Sequence, residues 1–309
     1  MKNKKIIYYW ACDISNSSGE GILGNSFLNK LKTENRNVSF KNLNFRDNYQ
    51  KVEKVNIKNN IFNSNFHKYI YPIIGLLKLW IVFFKGKKIC YINYLPLWNF
   101  IIFLFLPPKT IIGPITGSIV REGNFVKILN FFERISLFLI KYKYKKVYFS
   151  HNFYNLKYNL DKKKYVANFI LSDFKFEKKN KQKKFNFVIY FRKDGKLKKE
   201  YILEIIKELT SLNYKFAVIG DKINIKGVKN FGFITRKRAI QIISKSEFAI
   251  ANPENLYSYF VQDCLKFRIK VFYNIFFKKY NIFKNKQMIP IKYKLIEDLK
   301  IIKRTIRKI

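Results

Sequence analysis

Apolar and polar positions follow one another along the chain in two alternating patterns. Short runs rich in β-branched and aromatic residues, such as Lys5–Ala11 and Phe185–Phe191, are typical of buried strands. Between them lie longer stretches in which apolar residues recur every three or four positions, as in Lys198–Leu212, and this spacing is typical of amphipathic helices. Strands that alternate with helices build parallel sheets, so the pattern predicts an α/β protein.

The first half of the chain contains most of the apolar helical stretches. Its predicted strands are Lys5–Ala11, Val38–Phe40, Lys88–Asn93, Thr110–Ile112, Lys146–Ser150 and Tyr165–Leu171. Its predicted helices are Ile22–Leu31, Tyr69–Phe84, Trp98–Leu106 and Phe125–Tyr142. Tyr69–Phe84 is so apolar that a buried helix is expected. Residues 42–65 are polar and rich in Asn and Lys, and the pattern assigns them no element.

The alternation stops at a charged stretch, FKFEKKNKQKK, and then starts again. Beyond it the predicted strands are Phe185–Phe191, Tyr214–Gly220, Val228–Phe233, Phe248–Ile250 and Arg268–Tyr273. The predicted helices are Lys198–Leu212, a helix that Thr235 caps and that runs through Ile243, and Leu256–Leu265. A charged run with almost no apolar content is typical of an interdomain linker.

The C-terminal stretch Tyr293–Ile309 repeats apolar residues at three- and four-residue steps, with Lys and Arg opposite them. This pattern predicts a basic amphipathic helix, either a strut packed on the protein body or a membrane-surface contact. The sequence is therefore divided into an N-terminal domain (1–173), a basic linker (174–184), a C-terminal domain (185–285) and a C-terminal basic helix (286–309).

The charge of the chain points to a negatively charged partner. Lys and Arg number 62 against 20 Asp and Glu in 309 residues, which gives a formal net charge of +42. Such a surface would bind nucleic acid or anionic lipid headgroups. Only ten of the basic residues are Arg, the residue that specific base contacts favour, so a membrane surface is preferred and no specific nucleic acid is expected. Compositional drift in an AT-rich genome is the alternative explanation.

The cysteines and the lengths of the apolar runs indicate where in the cell the protein is expected. Cys12, Cys90 and Cys264 are odd in number, far apart and set in apolar runs, which is typical of reduced core residues in a cytosolic protein. The most apolar stretches, Tyr69–Phe84 and Tyr91–Leu106, fall short of the roughly 18–20 uninterrupted residues of a membrane span. We therefore expect a cytoplasmic protein, with peripheral attachment to the inner face of the cytoplasmic membrane as a variant of that location.

The second half resembles the donor domain of GT-B glycosyltransferases. The segments that carry the resemblance are, in chain order, IYFRKDGK, VIGD, GVKNFGFITRKRAIQIISKSEFAI and PENLYSYFVQDCLKFRIKVFYN. The first half, with a glycine-containing first loop and the turn GPITGS, is similar to the acceptor domain of the same fold. The resemblance implies two Rossmann-like domains that face each other across a cleft. It also implies sugar transfer from a nucleotide-sugar to a hydroxyl acceptor, with no essential metal and no other cofactor.

The positive charge suggests that this acceptor is a lipid-linked or cell-envelope glycan, because a basic surface favours an anionic membrane. Two other functions stay open. One is a non-catalytic protein that binds polyanions, and the other is a degenerate GT-B protein that binds a sugar or nucleotide without turnover.

Basic residues after the strand Phe185–Phe191 are candidates for the donor diphosphate, whose negative charge grows as the glycosidic bond breaks. Arg192 follows the strand directly, and Lys193, Lys196 and Lys198 share its turn. The resemblance implies an Arg followed some residues later by a Lys, which is Lys196 or Lys198 here. A solvated turn is the alternative.

Glu254 is the first candidate for binding the ribose or sugar hydroxyls, because it lies in a loop between a buried strand and a helix. Retaining members of the family have two glutamates eight positions apart, whereas the second position here is Gln262, followed by Asp263. The run ENLYSYFVQD is also similar to a segment of α1,3-fucosyltransferases, which invert. Asn255 and Asp263 are further candidates, and Tyr257 is a candidate for stacking on the base, with simple packing as the alternative.

The first loop of the chain supplies candidates for the acceptor side. Gly19 and Gly21 lie between a strand and a helix, where glycines let the backbone approach a phosphate or sugar closely. Glu20 is a candidate for the base that accepts the acceptor's proton, and Asp13 is its rival. A capping or turn role is the alternative for both carboxylates.

Two further places in the first half contain candidate residues. Gly113, Thr116 and Gly117 resemble the second cleft-lining turn of the family. His151 follows the predicted strand Lys146–Ser150 and is a candidate base or phosphate contact, with a surface or core histidine as the alternative.

Overall fold

The computed structural model describes most of the chain. The described residues are 5–14, 19–44, 70–117, 119, 124–161, 165–166, 177, 182–193, 199–280 and 286–307. The chain divides into two compact units, Met1–Gly117 with Asn124–Ser172 and Ser118–Gly123 with Asp173–Ile309. Each unit is built on a parallel sheet of six strands covered by helices. The predicted α/β fold of two Rossmann-like halves is therefore confirmed.

The first unit carries its strands in the order β2-β1-β3-β4-β5-β6, and every neighbouring pair is parallel. The strands are β1 (Lys5–Ala11), β2 (Val38–Asn42), β3 (Lys88–Leu95), β4 (Ile111–Ile115), β5 (Val147–Phe149) and β6 (Tyr165–Val166). The helices are α1 (Gly19–Glu34), α2 (Tyr71–Phe84), α3 (Phe100–Phe105), α4 (Val126–Lys143) and α5 (Phe153–Tyr158).

Strand order decides which face of this sheet each helix covers. The chain moves outward from β1 to β2, and then returns across β1 to β3 and onward to β4 and β5. Because crossovers between parallel strands are right-handed, α1 lies on one face and α2, α3 and α4 lie on the other. Packing agrees with this arrangement, since the ring of Trp10 of β1 packs against Tyr71 of α2, while the ring of Phe27 of α1 packs against Tyr148 of β5.

The second unit has the strand order β12-β11-β10-β7-β8-β9, again entirely parallel. The strands are β7 (Phe185–Phe191), β8 (Phe216–Gly220), β9 (Val228–Gly232), β10 (Ser246–Ile250), β11 (Lys270–Asn274) and β12 (Met288–Ile291). The helices are α6 (Lys199–Ser211), α7 (Arg236–Ser244), α8 (Tyr259–Lys266), α9 (Leu295–Ile306) and a short 3-10 helix (Ile275–Lys278). Its core includes Phe187, stacked between Phe216 and Phe248.

The C-terminal segment differs from the expected helix 286–309. Met288–Ile291 forms β12, the edge strand that pairs with β11, and the helix begins only at Leu295. Ile302 and Asp298 of α9 are fully buried, and the helix packs on the core that α6 also covers. Of the two roles considered for this helix, the structure therefore supports the strut.

The structure bears on the expectations for the cysteines and for membrane-spanning helices. Cys12, Cys90 and Cys264 are buried free thiols. Burial is the main cause that raises the pKa of Cys12, to about 12, so this thiol stays protonated at neutral pH. Among the described helices, none combines the length and the apolar character that crossing a bilayer requires.

Candidate functional site

The second sheet changes winding direction between β7 and β10. From β7 the chain proceeds to β8 and β9 on one side, and β10, β11 and β12 extend the sheet on the other side. The carboxyl ends of two adjacent parallel strands at such a switch point leave a crevice, which is where open α/β sheets bind their ligands. A small pocket, with about 30 Å³ of free space, lies at this place.

The pocket is lined by the ends of both strands and by the start of α6. Its polar members are Arg192, Lys199 and Asn252. Its other lining residues are Ile189, Tyr190, Phe191, Ile202, Ala251 and Pro253. Lys199 is the first residue of α6, so the positive end of that helix dipole adds to the two cationic side chains. The arrangement is suited to an anion such as a phosphate group.

The turn after β7 that carries Arg192 is held by the end of β8. The Asp221 carboxylate accepts a hydrogen bond of 2.7 Å from the backbone N–H of Lys193, and the Asp221 N–H donates to the carbonyl of Phe191. Arg192 itself is exposed, with its guanidinium 5.9 Å from the centre of the Tyr190 ring. The guanidinium is thus available to a ligand while its backbone is fixed.

Gly220 permits this close approach of the two strand ends. Its φ of +99° lies in a region that side-chain-bearing residues rarely adopt, and a Cβ there would lie 2.3 Å from the carbonyl oxygen of Phe191. A larger residue would push the Arg192 turn out of place. Gly220 was not among the candidate residues, because the close approach depends on the pairing of β7 with β8.

The loop after β10, which carries Glu254, is fixed by asparagine side chains. The Asn252 Oδ1 accepts from the N–H of Glu254 and the Asn255 Oδ1 accepts from the N–H of Tyr257, both at 2.8 Å. Asn274 donates from its side chain to the carbonyl of Pro253 at 3.2 Å. Glu254 and Asn255 are half-buried on this rigid loop. Asn252 therefore both lines the pocket and orients the backbone that carries Glu254.

Three other donor-site candidates are in the interior of the second unit. Tyr257 is buried, donates its hydroxyl to the carbonyl of Tyr280 and packs edge-on against Phe277, which matches the packing alternative. Gln262 and Asp263 are each 3% exposed on α8. Asp263 accepts two hydrogen bonds from the guanidinium of Arg236, at 2.9 and 3.2 Å.

Of the three lysines in the Arg192 turn, one is among the described residues. Lys193 is exposed and contacts Asp221 through its backbone N–H. Lys196 and Lys198 lie outside the described residues. Lys199, which lines the pocket, was not among the candidates, and its position at the first residue of α6 is the signal that would have indicated it.

The first sheet has its own switch point, between β1 and β3, and Asp13 follows the end of β1 there. The N–H of Cys12 donates to the carbonyl of Ile92 at 3.0 Å, so the ends of the two strands are tied together. Asp13 is half-buried, whereas Glu20 is exposed in the first turn of α1. Of the two candidate bases, Asp13 thus occupies the position that open α/β sheets use for ligands.

The predicted loop through Gly21 is shorter than expected, because α1 begins at Gly19. A Cβ on Gly19 would meet nothing within 4 Å, and Gly21 is a buried helical residue. The close approach belongs instead to Gly24, where a Cβ would lie 2.4 Å from the carbonyl oxygen of Asp13. Gly24 therefore lets α1 pack directly against the end of β1.

The turn after β4 lies beside the end of β3. Gly113 is inside β4, where a Cβ would come within 2.9 Å of Phe27 and 3.0 Å of Tyr148, so it serves helix packing. Thr116 is buried and its N–H donates to the carbonyl of Leu95. Gly117 has φ +137° and would place a Cβ 3.2 Å from Pro96. Thr116 and Gly117 are thus at the carboxyl edge of the sheet, and Gly113 lies further inside strand β4.

No protein-family model matches the chain, and no curated protein matches it. The crystal structure of the UDP-GlcNAc 2-epimerase of Methanocaldococcus jannaschii, in complex with UDP-GlcNAc and UDP, matches over 97% of this chain and 92% of its own. The TM-score is 0.53 at 9% sequence identity. The chain has the GT-B fold.

Other similar structures include transferases as well as epimerases. S. aureus MnaA with UDP is 12% identical, with a TM-score of 0.46 over 87% of this chain and 79% of its own. CalG4, the calicheamicin glycosyltransferase, is 6% identical, with a TM-score of 0.41 over 94% of this chain and 86% of its own. Likeness at these identities concerns the fold alone.

The candidate site residues divide between the two units of this GT-B fold. The second unit brings Arg192 to one pocket with Lys199 and Asn252, and Glu254 follows on the same loop as Asn252. The first unit has Asp13, Thr116 and Gly117 at the carboxyl edge of its sheet. Across the described residues of both units, no group of three or more His, Cys, Asp or Glu side chains is placed to hold a metal ion.

His151, the remaining candidate base, is 2% exposed and stacks on Tyr154 with ring centres 5.6 Å apart. Burial is the main cause that lowers the pKa of His151, to about 3. The ring is therefore neutral at physiological pH and is a weak proton acceptor. Its role as a base stays a prediction that this burial does not favour.

His151 is expected to make the protein sensitive to mild acid. Its folded pKa is about 3, against about 6.5 for an unperturbed histidine, so the unfolded state binds an extra proton as the pH falls below about 6.5. The free energy of unfolding should then fall by up to about 1.4 kcal/mol per pH unit. His151→Phe should flatten this slope between about pH 5 and 6.5, as measured by urea unfolding. An unchanged slope in the variant would contradict the assignment.

Proposed function

We propose that this chain is a GT-B glycosyltransferase that moves a sugar from a nucleotide-activated donor to a hydroxyl acceptor. The pocket at the switch point of the second sheet carries the proposal, because Arg192, Lys199 and the start of α6 concentrate positive charge there. A nucleoside diphosphate that departs from a sugar develops negative charge, and such groups stabilise it in the transition state.

The other residues at this edge have roles that fit the same substrate. Glu254, on the loop that Asn252 and Asn255 fix, would accept hydrogen bonds from ribose or sugar hydroxyls. Asp13 is the carboxylate that we propose as the base for the acceptor hydroxyl, with Glu20 as the second candidate. Because the protein supplies the positive charge itself, transfer is expected to continue in the presence of a metal chelator.

The nucleotide that deserves the first test is UDP. The structurally similar epimerase of M. jannaschii was solved with UDP-GlcNAc and UDP, and this supports a uridine donor for the present chain. The acceptor that we propose is a lipid-linked or cell-envelope glycan, which the net charge of +42 supports through attraction to anionic membranes.

A second candidate function is epimerisation of a sugar nucleotide, since the similar structure is that of an epimerase. The two reactions differ in their products. A transferase releases UDP only when an acceptor is present, whereas an epimerase converts one UDP-sugar into another without an acceptor. NMR spectra of a UDP-sugar incubated with the protein, with and without a lipid extract, therefore distinguish them.

Arg192→Ala is expected to weaken UDP binding about 10- to 100-fold, because it removes a charge-assisted contact to phosphate. The measurement is isothermal titration calorimetry with UDP. Arg304→Ala is the matched control, an exposed arginine of the same unit that does not line the pocket, and it should bind UDP like the wild type.

The polyanion-binding alternative makes the opposite prediction. Arg192→Ala and Arg304→Ala should then lower binding to a polyanion such as heparin by equal amounts, and neither should affect UDP selectively. A degenerate domain would bind UDP through Arg192 but would neither release UDP from UDP-sugars nor epimerise them. Wild-type protein that fails to bind any of the UDP-, GDP-, CMP- or dTDP-sugars in a thermal-shift screen would contradict the proposed function.

A further inference from the structure

The outer surface of α2, α3 and α4 in the first unit is apolar to an unusual degree. We call this surface the α2–α4 face. It consists of Ile73, Leu77, Ile81, Phe84, Ile101, Leu104, Phe105, Ile128, Phe131, Phe138 and Tyr142, each of which is at least partly open to solvent. Leu77 is 62% exposed, Phe138 63% and Phe84 77%. Soluble surfaces rarely expose so many large apolar side chains together, and such patches mark interaction sites.

These residues belong to one continuous layer. The indole N–H of Trp80 in α2 donates to the carbonyl of Phe105 in α3 at 2.8 Å. Phe100 of α3 packs against Phe132 of α4 with ring centres 4.8 Å apart. Because the three helices cover the same side of the sheet, their outward stripes form one surface rather than three separate ones.

Helix α4 shows how apolar and basic positions are arranged on this surface. Ile128, Phe131, Phe138 and Tyr142 lie along one line of the helix, at intervals of three, seven and four residues, and all are exposed. Lys127, Arg134 and Lys141 recur every seven residues directly beside that line. A row of apolar side chains flanked by a row of cations is the pattern of helices that lie at a membrane surface.

Among the described residues, the exposed charges around the α2–α4 face are positive. The exposed cationic residues on these helices and in the segments that follow them are Lys85, Lys87, Lys88, Lys109, Lys127, Arg134, Lys141 and Lys145. The three helices contain one carboxylate, Glu133, which is 1% exposed and accepts hydrogen bonds from Tyr158 and Lys157. The face is therefore apolar in the middle and cationic at its margin.

We propose that the α2–α4 face docks on an anionic lipid bilayer. Its aromatic and aliphatic side chains enter the boundary between headgroups and acyl chains, and the surrounding lysines contact lipid phosphates. The helices enter side-on, since Tyr71, Gly75 and Leu79 of α2 are buried against the protein. A second copy of this chain is a less favourable occupant, because two such margins on chains of charge +42 repel each other.

This surface differs from the one that the sequence pattern suggested. The C-terminal helix α9 was one candidate for membrane contact, but its Ile302 is fully buried, and Ile296 is the large apolar side chain that it exposes. The docking surface rests on the proposed function in one respect only, which is that the enzyme would meet a lipid-linked acceptor at the membrane. Vesicle binding needs no nucleotide, so the docking surface and the donor site can fail independently.

The test is co-sedimentation of the full chain with vesicles. Wild-type protein should bind vesicles that contain one-third phosphatidylglycerol much more strongly than pure phosphatidylcholine, and a part of this binding should persist at high salt. Leu77→Ser/Phe138→Ser should reduce partition about tenfold or more, because it removes two inserting side chains. The matched control is Phe233→Ser/Ile296→Ser, which changes two slightly more exposed residues of the second unit and should leave partition unchanged.

Tryptophan fluorescence provides a second, independent measurement. The chain contains three tryptophans, of which Trp10 is fully buried and Trp98, just before α3, is 39% exposed. Vesicles with brominated acyl chains should quench the emission of Trp98 and of Trp80, which lies in α2, and Trp80→Phe/Trp98→Phe should remove most of the quenching.

Several outcomes would overturn the inference. Equal vesicle binding by both double variants, binding without any quenching by brominated lipids, or complete loss of binding at high salt would each show that the α2–α4 face does not insert. A concentration-dependent dimer in sedimentation velocity that Leu77→Ser/Phe138→Ser abolishes would assign the face to a second copy instead. UDP titration of the same variants shows whether the donor site is intact, since this site lies in the other unit.

Discussion

Asp298→Ala is expected to destabilise the second unit by about 3–5 kcal/mol. Asp298 is fully buried on α9, and its carboxylate accepts three hydrogen bonds. The Tyr201 hydroxyl donates to it at 2.7 Å, and the backbone N–H groups of Lys292 and Lys294 donate at 2.9 Å each. Alanine would leave all three donors without an acceptor in the protein interior, which costs more than the hydrogen bonds themselves contribute.

The same carboxylate connects three parts of the second unit. Tyr201 belongs to α6, Lys292 follows β12, and Lys294 is the residue that precedes α9. Burial first, and then the hydrogen bond to Asp298, raise the pKa of Tyr201, so its hydroxyl stays a donor at every ordinary pH. Loss of Asp298 should therefore loosen α9 and the edge strand β12 together.

Two further variants should lose less stability than Asp298→Ala, because each removes only part of the hydrogen bonding. Asp298→Asn keeps one oxygen acceptor and should be less destabilising than alanine, while Tyr201→Phe removes a single donor and should cost about 1 kcal/mol. The measurement is hydrogen exchange of the buried β8 amides, which reports on opening of the second unit alone. An Asp298→Ala variant with wild-type exchange rates in β8 would contradict this account.

Much of the fold could be predicted from the sequence because both sheets are parallel. Parallel strands are buried on both faces, so they appear as continuous apolar runs such as β8, in which all five residues are buried. β12 was missed for an identifiable reason. Its sequence, MIPI, contains Pro290, which argues against a central strand but is tolerated on an edge strand, where β12 lies.

The candidate site could be predicted only in part, because it depends on which strands are neighbours. Arg192 and Glu254 could be proposed from the sequence because each follows a buried strand. Lys199 and Asn252 were missed, and Gly220 and Gly24 reveal themselves only through approaches of 2.3 and 2.4 Å to backbone oxygens far along the chain. No local pattern encodes such distances.

The apolar helix Tyr69–Phe84 shows a further limit of sequence patterns. It was expected to be buried, yet Ile73, Leu77, Ile81 and Phe84 of α2 are exposed. Hydrophobicity indicates that a surface avoids water, and it does not indicate whether the protein core or another phase covers that surface. The lysines around α2–α4 supply the information that hydropathy alone lacks.

Arg236→Met is expected to destabilise the second unit by about 3 kcal/mol, because it leaves the carboxylate of Asp263 buried without its cation. The Asp263 side chain is 4% exposed, and Arg236 binds both of its oxygens. The Arg236 guanidinium also lies 4.7 Å from the centre of the Tyr259 ring. Burial opposes the charge of Arg236, but the hydrogen bonds to Asp263 outweigh it and raise the pKa of Arg236.

Replacing the whole pair separates a packing role of Asp263 from a donor-binding role. Arg236→Met/Asp263→Leu removes both charges and should recover most of the stability that Arg236→Met loses, because no unpaired carboxylate remains. If Asp263 joins α7 to α8 and does not touch the donor, the double variant should also bind UDP like the wild type. Stability that recovers together with a lost affinity for UDP would instead return Asp263 to the donor site. The ion pair would then hold a carboxylate for the ligand as well as for the fold.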